Sequence, residues 1–151
     1  MIRTSFRMRL CAALLIAILV FIWGNSLMPA PVSSAFSDWV HSILLGEKPE
    51  SDGSTSSGIL RKIAHFTEFA ALGMCLAWLF GMLRKAWVVP LLCGAAAACI
   101  DEGLQSLSPG RAPMVLDVLI DSSGVLAGIV LLYLGHTYFK QKSTNQTLED
   151  K

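Results

Sequence analysis

Polar and apolar positions separate along this chain into long blocks. Leu10 to Leu27 is a nearly unbroken apolar run preceded by Arg3, Arg7 and Arg9, and Ile63 to Leu83, Ala86 to Ile100 and Val115 to Tyr138 supply further ones. A helix rises about 1.5 Å per residue and a bilayer's hydrocarbon core is roughly 30 Å thick, so a spanning helix needs about 20 mostly apolar residues. The run from Ala86 reaches that length only by continuing through Asp101 and Glu102 to Leu107. The pattern predicts one all-α domain over 1–151, a four-transmembrane-helix bundle with helices near 10–28, 61–83, 86–107 and 114–138.

The connections carry their own signals. Between 29 and 60, Phe36, Trp39, Val40, Ile43 and Leu44 fall at helical spacing, with Ser34 a candidate N-cap and Asp38 in the first turn. That spacing predicts a short helix lying on the outer interface with its apolar face in lipid. Glu47 to Gly58, rich in Ser and Gly, reads as a flexible linker. The first run has two readings. Its positive flank, apolar core and following small residues (Pro29-Ala30, Ser33-Ser34-Ala35) also describe a cleavable signal peptide. A signal core spans about 7–15 residues and a bilayer about 20, so the length of the run favours a retained helix.

Composition agrees with the membrane reading: 54% of residues are hydrophobic and 15% charged, against about 45–50% and about 25% in soluble domains. The formal net charge of +1 offers no field to steer nucleic acid, which is not an expected partner. Cys11, Cys75, Cys93 and Cys99 lie inside apolar runs without CxxC spacing and read as packing residues. The basic residues choose the topology. Arg3, Arg7, Arg9, Arg84, Lys85, Lys140, Lys142 and Lys151 share one side, and only Lys48, Arg61, Lys62 and Arg111 the other. The positive-inside rule then puts both termini in the cytoplasm.

Converting position into depth brings the polar residues together. Lys62, His65 and Glu68 at the start of the second helix, Asp101, Glu102 and Gln105 at the end of the third, and Asp117 and Asp121 at the start of the fourth all fall within about 10 Å of the outer boundary. At about 100° per residue, Asp117, Asp121, Gly124 and Gly128 share one stripe, as do Gly94, Ala98, Asp101 and Gln105. Small residues below the acids let backbones approach, so the acids should point into the bundle. Intramembrane acids are costly. This set outnumbers its cations, so protons, a bound cation or headgroup solvation must offset it.

Each residue alone has a plainer reading. Lys62 with Glu68, or Arg111 with Glu102, are ion pairs that set register; His65 is an interfacial histidine; Gly124 and Gly128 are packing residues; Trp23, Trp39, Trp78 and Trp87 are interface anchors. The convergence of polar groups from separate segments favours a functional site. There, His65 suits a general base or metal ligand. Carboxylates orient an imidazole or hold a divalent cation. Gln105 can donate to a developing oxyanion, and Arg111 and Lys62 can hold a phosphate.

Arg61-Lys62-Ile63-Ala64-His65-Phe66-Thr67-Glu68-Phe69, then Asp101-Glu102-Gly103-Leu104-Gln105, then Pro109-Gly110-Arg111, then Asp117 and Asp121-Ser122-Ser123-Gly124 resemble, in that order, the motifs of the VanZ-like family. The resemblance covers about residues 10 to 135. Two positions depart from the family pattern: Glu68 and Phe69 stand where an aromatic residue often follows the histidine, and Asp121 where asparagine is frequent. The resemblance implies a multi-pass protein of the bacterial plasma membrane, in a cell-envelope family whose founding member is linked to low-level resistance to the glycopeptide teicoplanin. Remote similarity between the family and lipid head-group-modifying enzymes such as phosphatidylserine synthases has been proposed.

Together these readings predict an outward-facing enzyme acting on a membrane lipid or lipid-linked envelope precursor, by phosphoester hydrolysis or head-group transfer. His65 is the expected base or nucleophile partner. Asp101, Glu102, Asp117 and Asp121 supply acid/base function, and Gln105, Lys62 and Arg111 hold the phosphoryl group. A divalent cation, if used, falls to Glu68, Asp101, Glu102 and Asp121. Two rivals stand beside this reading: a non-enzymatic lipid-binding or antibiotic-shielding protein, and an ion- or proton-coupled transporter. The third helix up to Ile100 and the first helix carry no ionisable group that would extend a path across the membrane, which counts against the transporter. Oligomeric state has no signal in the sequence.

Overall fold

The structure, a computed structural model, describes residues 2–45, 54–83, 86–111 and 114–149, and its elements are helices α1 (Ile2–Ser26), α2 (Ala30–Leu45), α3 (Ser54–Met82), α4 (Val88–Gln105) and α5 (Val115–Glu149). Four of them contain stretches long and apolar enough to cross a bilayer: Phe6–Ser26, Gly58–Met82, Val88–Gln105 and Val115–Ser143. Their large apolar side chains turn outward all along the bundle; Val20 is 66% exposed, Leu92 63% and Leu131 58%. Such a surface is stable against lipid and not against water, while the backbone polar groups are satisfied inside each helix. The all-α membrane bundle read from the sequence is the fold.

Helix bounds differ from expectation for local reasons. Helix α2 starts at Ala30 rather than at Ser34, because the Pro29 carbonyl already accepts from the Val32 and Ser33 N–H groups at 3.0 and 3.1 Å. Trp39 and Ile43 are exposed on α2 and Val40 is half-buried. Part of the expected linker, Ser54 to Gly58, is the first turn of α3, and residues 46–53 lie outside the described residues. At the far end α5 continues past Tyr138 to Glu149. Extending a formed helix costs little per residue, so polar flanks follow their apolar cores.

α3 and α5 share the most extensive interface, and α4 and α1 pack beside them. Glycine makes the close approach possible. A Cβ on Gly124 would collide with the Phe66 carbonyl, and one on Gly128 with the Ala70 carbonyl, one turn further along the same seam. Without a hydrophobic effect between helices in lipid, close van der Waals packing of this kind holds them together. The core comprises Ile22, Phe69, Leu72, Leu76, Ala97, Ala98 and Val125. Trp23 packs against it instead of facing outward, whereas Trp39, Trp78 and Trp87 are exposed.

Candidate functional site

The polar residues meet at the end of the bundle opposite the two chain termini. Each reaches it by the helix periodicity already described. On α4 the buried stripe runs Gly94, Ala97, Ala98, Asp101, Glu102 and Gln105, so small residues give way to acids as the helix nears its end. On α5, Asp121 continues the stripe of Gly124 and Gly128, and on α3 His65 precedes Phe66, whose carbonyl meets Gly124. The seam that packs α3 on α5 therefore opens directly into the site.

Asp101 is the fixed centre. It is fully buried; Ser26 Oγ donates to its Oδ1 at 2.6 Å and Gln105 Nε2 to its Oδ2 at 2.8 Å. His65 Nδ1 stands 3.8 Å from Asp101 Oδ2, an electrostatic contact longer than a hydrogen bond. Asp121 is 1% exposed, and its Oδ2 meets no donor from the protein. One donor atom each from His65, Asp101 and Asp121 lies within 4.8 Å of the others.

The remaining acids have structural partners. Asn25 Nδ2 donates to Glu68 Oε1 at 3.2 Å. The Met114 backbone N–H donates to Glu102 Oε1, which ties α4 to the start of α5. Lys62 Nζ lies 3.2 Å from Asp117 Oδ1, an ion pair without hydrogen-bond alignment, in place of the pairing with Glu68 weighed from sequence. Glu68 and Glu102 thus stand apart from the trio that could share one ion.

The Pro109-Gly110-Arg111 motif has a geometric reason. Arg111 N–H donates to the Ser108 carbonyl at 3.3 Å, closing a turn in which Gly110 takes φ +78°. A proline followed by a glycine at positive φ is the pattern of a type II turn. Ser108 Oγ donates to the Ser26 carbonyl at 3.0 Å, and the Ala30 N–H to the Pro109 carbonyl at 3.2 Å. The turn is thereby clamped over the α1–α2 junction, and Arg111 is aimed beneath it.

Arg111 lines a cavity of about 210 Å³ together with Arg61, His65, Glu68, Asn25 and apolar walls such as Met28, Val40 and Leu60. Its Nε and Nη1 are buried without a protein acceptor. Burial, above all, draws the Arg111 guanidinium below its ordinary pKa; Arg61 adds to this, and Asp101 and Glu102 oppose it. Arginine's ordinary value is so high that the group stays cationic. Two guanidinium groups facing one cavity fit a phosphate oxyanion. A cleft of about 10 Å³ shares Arg61 and His65 with this cavity, is lined also by Gln105, Asp121, Asp117 and Lys62, and has room for one water-sized group.

Every residue singled out from the sequence lies at this end, in three sets. His65, Asp101, Gln105 and Asp121 meet at the centre; Glu68 and Arg111 face the larger cavity; Lys62 and Asp117 pair at the cleft, with Glu102 on the α5 start. Sequence reasoning missed Asn25, Ser26 and Ser108, and counted Arg61 among the outer basic residues without giving it a role in the site. Asn25-Ser26 is a polar pair at the end of an otherwise apolar run, at the depth of the other polar groups, and that was the available signal. A family model described as VanZ/LLP1 matches residues 11–136 of the chain. No curated protein and no solved structure matches it.

Proposed function

The chain belongs to the VanZ/LLP1 family, and from that premise we propose that this multi-pass membrane protein acts on the phosphorylated head group of a lipid or lipid-linked envelope precursor at the outer leaflet. The excess of Lys and Arg on the side of the termini supports the orientation. The observation that carries the reading is His65 standing on the wall of the two-arginine cavity, with the buried, doubly hydrogen-bonded Asp101 behind it. Arg61 and Arg111 would hold the phosphoryl oxygens, and the apolar walls would receive the adjoining part of the lipid.

The reaction is phosphoester hydrolysis or head-group transfer. An oxygen of water, or of an acceptor alcohol, bonds to phosphorus; the ester P–O bond breaks; the attacker's proton ends on the leaving oxygen. His65 is the group that readies the attacking oxygen, and the guanidinium groups stabilise charge on the phosphoryl oxygens as it develops. The apolar lining also suits a protein that holds a lipid without changing it, and one experiment separates the two. Cells lacking the protein would express wild type or His65→Ala at matched membrane levels, and their envelope lipids would be compared by mass spectrometry. One lipid or lipid-linked species should change with wild type and not with the variant. Identical profiles with both proteins would overturn the enzymatic reading and leave lipid binding.

A further inference from the structure

We propose that His65, Asp101 and Asp121 form a binding site for one divalent transition-metal cation. Helices α3, α4 and α5 each contribute one of these residues, and their donor atoms already lie within 4.8 Å of one another. Donors around a cation at about 2.1 Å sit roughly 3.0–3.4 Å apart. His65 Nδ1 and Asp101 Oδ2 stand 3.8 Å apart, so small rotations of His65 and Asp121 toward the fixed Asp101 bring the set to bonding distance.

Independent observations point to a cation and not merely to clustered acids. Asp121 is 1% exposed and lines the cleft beside His65, its Oδ2 has no protein donor, and His65 Nδ1 is likewise buried without a hydrogen-bond partner. A buried carboxylate oxygen and a buried imidazole nitrogen left unsatisfied within one cluster are costly. A shared cation resolves both. Asp101 also has the supporting shell a ligand needs, because Ser26 and Gln105 fix both its oxygens. Beside the trio, the cleft of about 10 Å³ between His65, Gln105 and Asp121 has room for a water on the cation's open side. Nearby Lys62 is engaged by Asp117, Arg61 lines both the cleft and the larger cavity, and Arg111 faces the larger cavity.

The ligand chemistry selects the ion. One imidazole nitrogen with two carboxylate oxygens suits Mn²⁺ or Zn²⁺ better than Ca²⁺, which takes six or more oxygens. The set differs from the one expected from sequence: Glu68 and Glu102 turn to Asn25 and to the Met114 backbone, and His65 takes their place.

The inference rests on the reading of this end as a phosphoryl-handling site and states how the attacking oxygen is readied there. His65, Asp101 and Asp121 would hold the cation, which would lower the pKa of a bound water and so take over from the imidazole the readying of the attacking oxygen. The proton passes to the leaving oxygen, so atoms and charge balance without any oxidant or reductant.

The test is a Mn²⁺ titration of the full-length protein in nanodiscs, free of added lipid substrate, followed by loss of the free-ion electron paramagnetic resonance signal. Wild type should bind one Mn²⁺ per chain saturably. Asp121→Asn and His65→Ala should each weaken binding at least tenfold while their melting curves show a folded protein. Glu68→Gln, which removes a neighbouring charge outside the trio, should stay within threefold of wild type. No saturable binding by wild type, or equal binding by Asp121→Asn, overturns the site. Lipid turnover that persists after chelation would overturn the cation and spare the proposed function. Saturable Mn²⁺ binding without any change in envelope lipids would do the reverse.

Discussion

Gly128→Ala adds one methyl group at the tightest point of the α3–α5 seam. The new Cβ would stand 3.0 Å from the Met74 nitrogen and closer still to the Ala70 carbonyl, where about 3.5–4.0 Å is comfortable. Both neighbours are backbone, so no side chain can rotate away and the helices themselves must part. Overpacking costs about 1–3 kcal/mol in general, and a rigid obstacle places this case near 3 kcal/mol. At about 1.36 kcal/mol per tenfold, the folding equilibrium shifts by roughly 150-fold. Gly135→Ala on the same helix is the matched control, since nothing lies within 4 Å of its added Cβ. Unfolding in mixed micelles, with rising SDS fraction and far-ultraviolet circular dichroism as the signal, measures both. Gly128→Ala should unfold at a clearly lower SDS fraction than wild type, and Gly135→Ala should not. Equal stability of the two variants would refute the account of the seam. The same seam continues through Gly124 to Asp121, so Gly128→Ala should also weaken Mn²⁺ binding.

Ser26→Ala removes the hydroxyl that donates to the fully buried Asp101 Oδ1. The loss should be about 1.5–3 kcal/mol in the same unfolding assay, and stability within about 0.5 kcal/mol of wild type would count against a structural role for this bond. Cys11 and Cys75 place their sulfur atoms 3.7 Å apart between α1 and α3. Mild oxidation should therefore link them within one chain and protect both from maleimide labelling. Continued labelling of both would mean that α1 does not pack on α3 as described.

Much of the membrane architecture is already written in the one-dimensional pattern. Apolar runs near bilayer length must be helices, because a backbone in lipid has to satisfy its own hydrogen bonds. Rise then places His65, Asp101, Gln105, Asp117 and Asp121 at one level, and angular period puts Asp101, Gln105, Asp117 and Asp121 on packing faces; in the structure these residues meet at one end of the bundle. Those quantities are local to each helix, and local geometry is what a sequence carries. Bounds were less legible, since Ser54 to Gly58 and the residues after Tyr138 join helices whose apolar cores had already formed.

Partnership between helices was decided only by the tertiary structure. Lys62 meets Asp117 and not Glu68, Glu68 meets Asn25, and Glu102 holds the Met114 backbone. The sequence placed Lys62, Glu68, Glu102 and Asp117 at the same depth but carried no measure of lateral distance. That distance is set where glycine lets α3 and α5 backbones touch, and where Val125 fills the space left by Gly94 on α4. Sequence alone determined that a buried polar layer would form at one end of the bundle. Close packing of the helices determined which members of the layer share one point in space, because ion pairing and metal coordination fall off over a distance shorter than one helical turn.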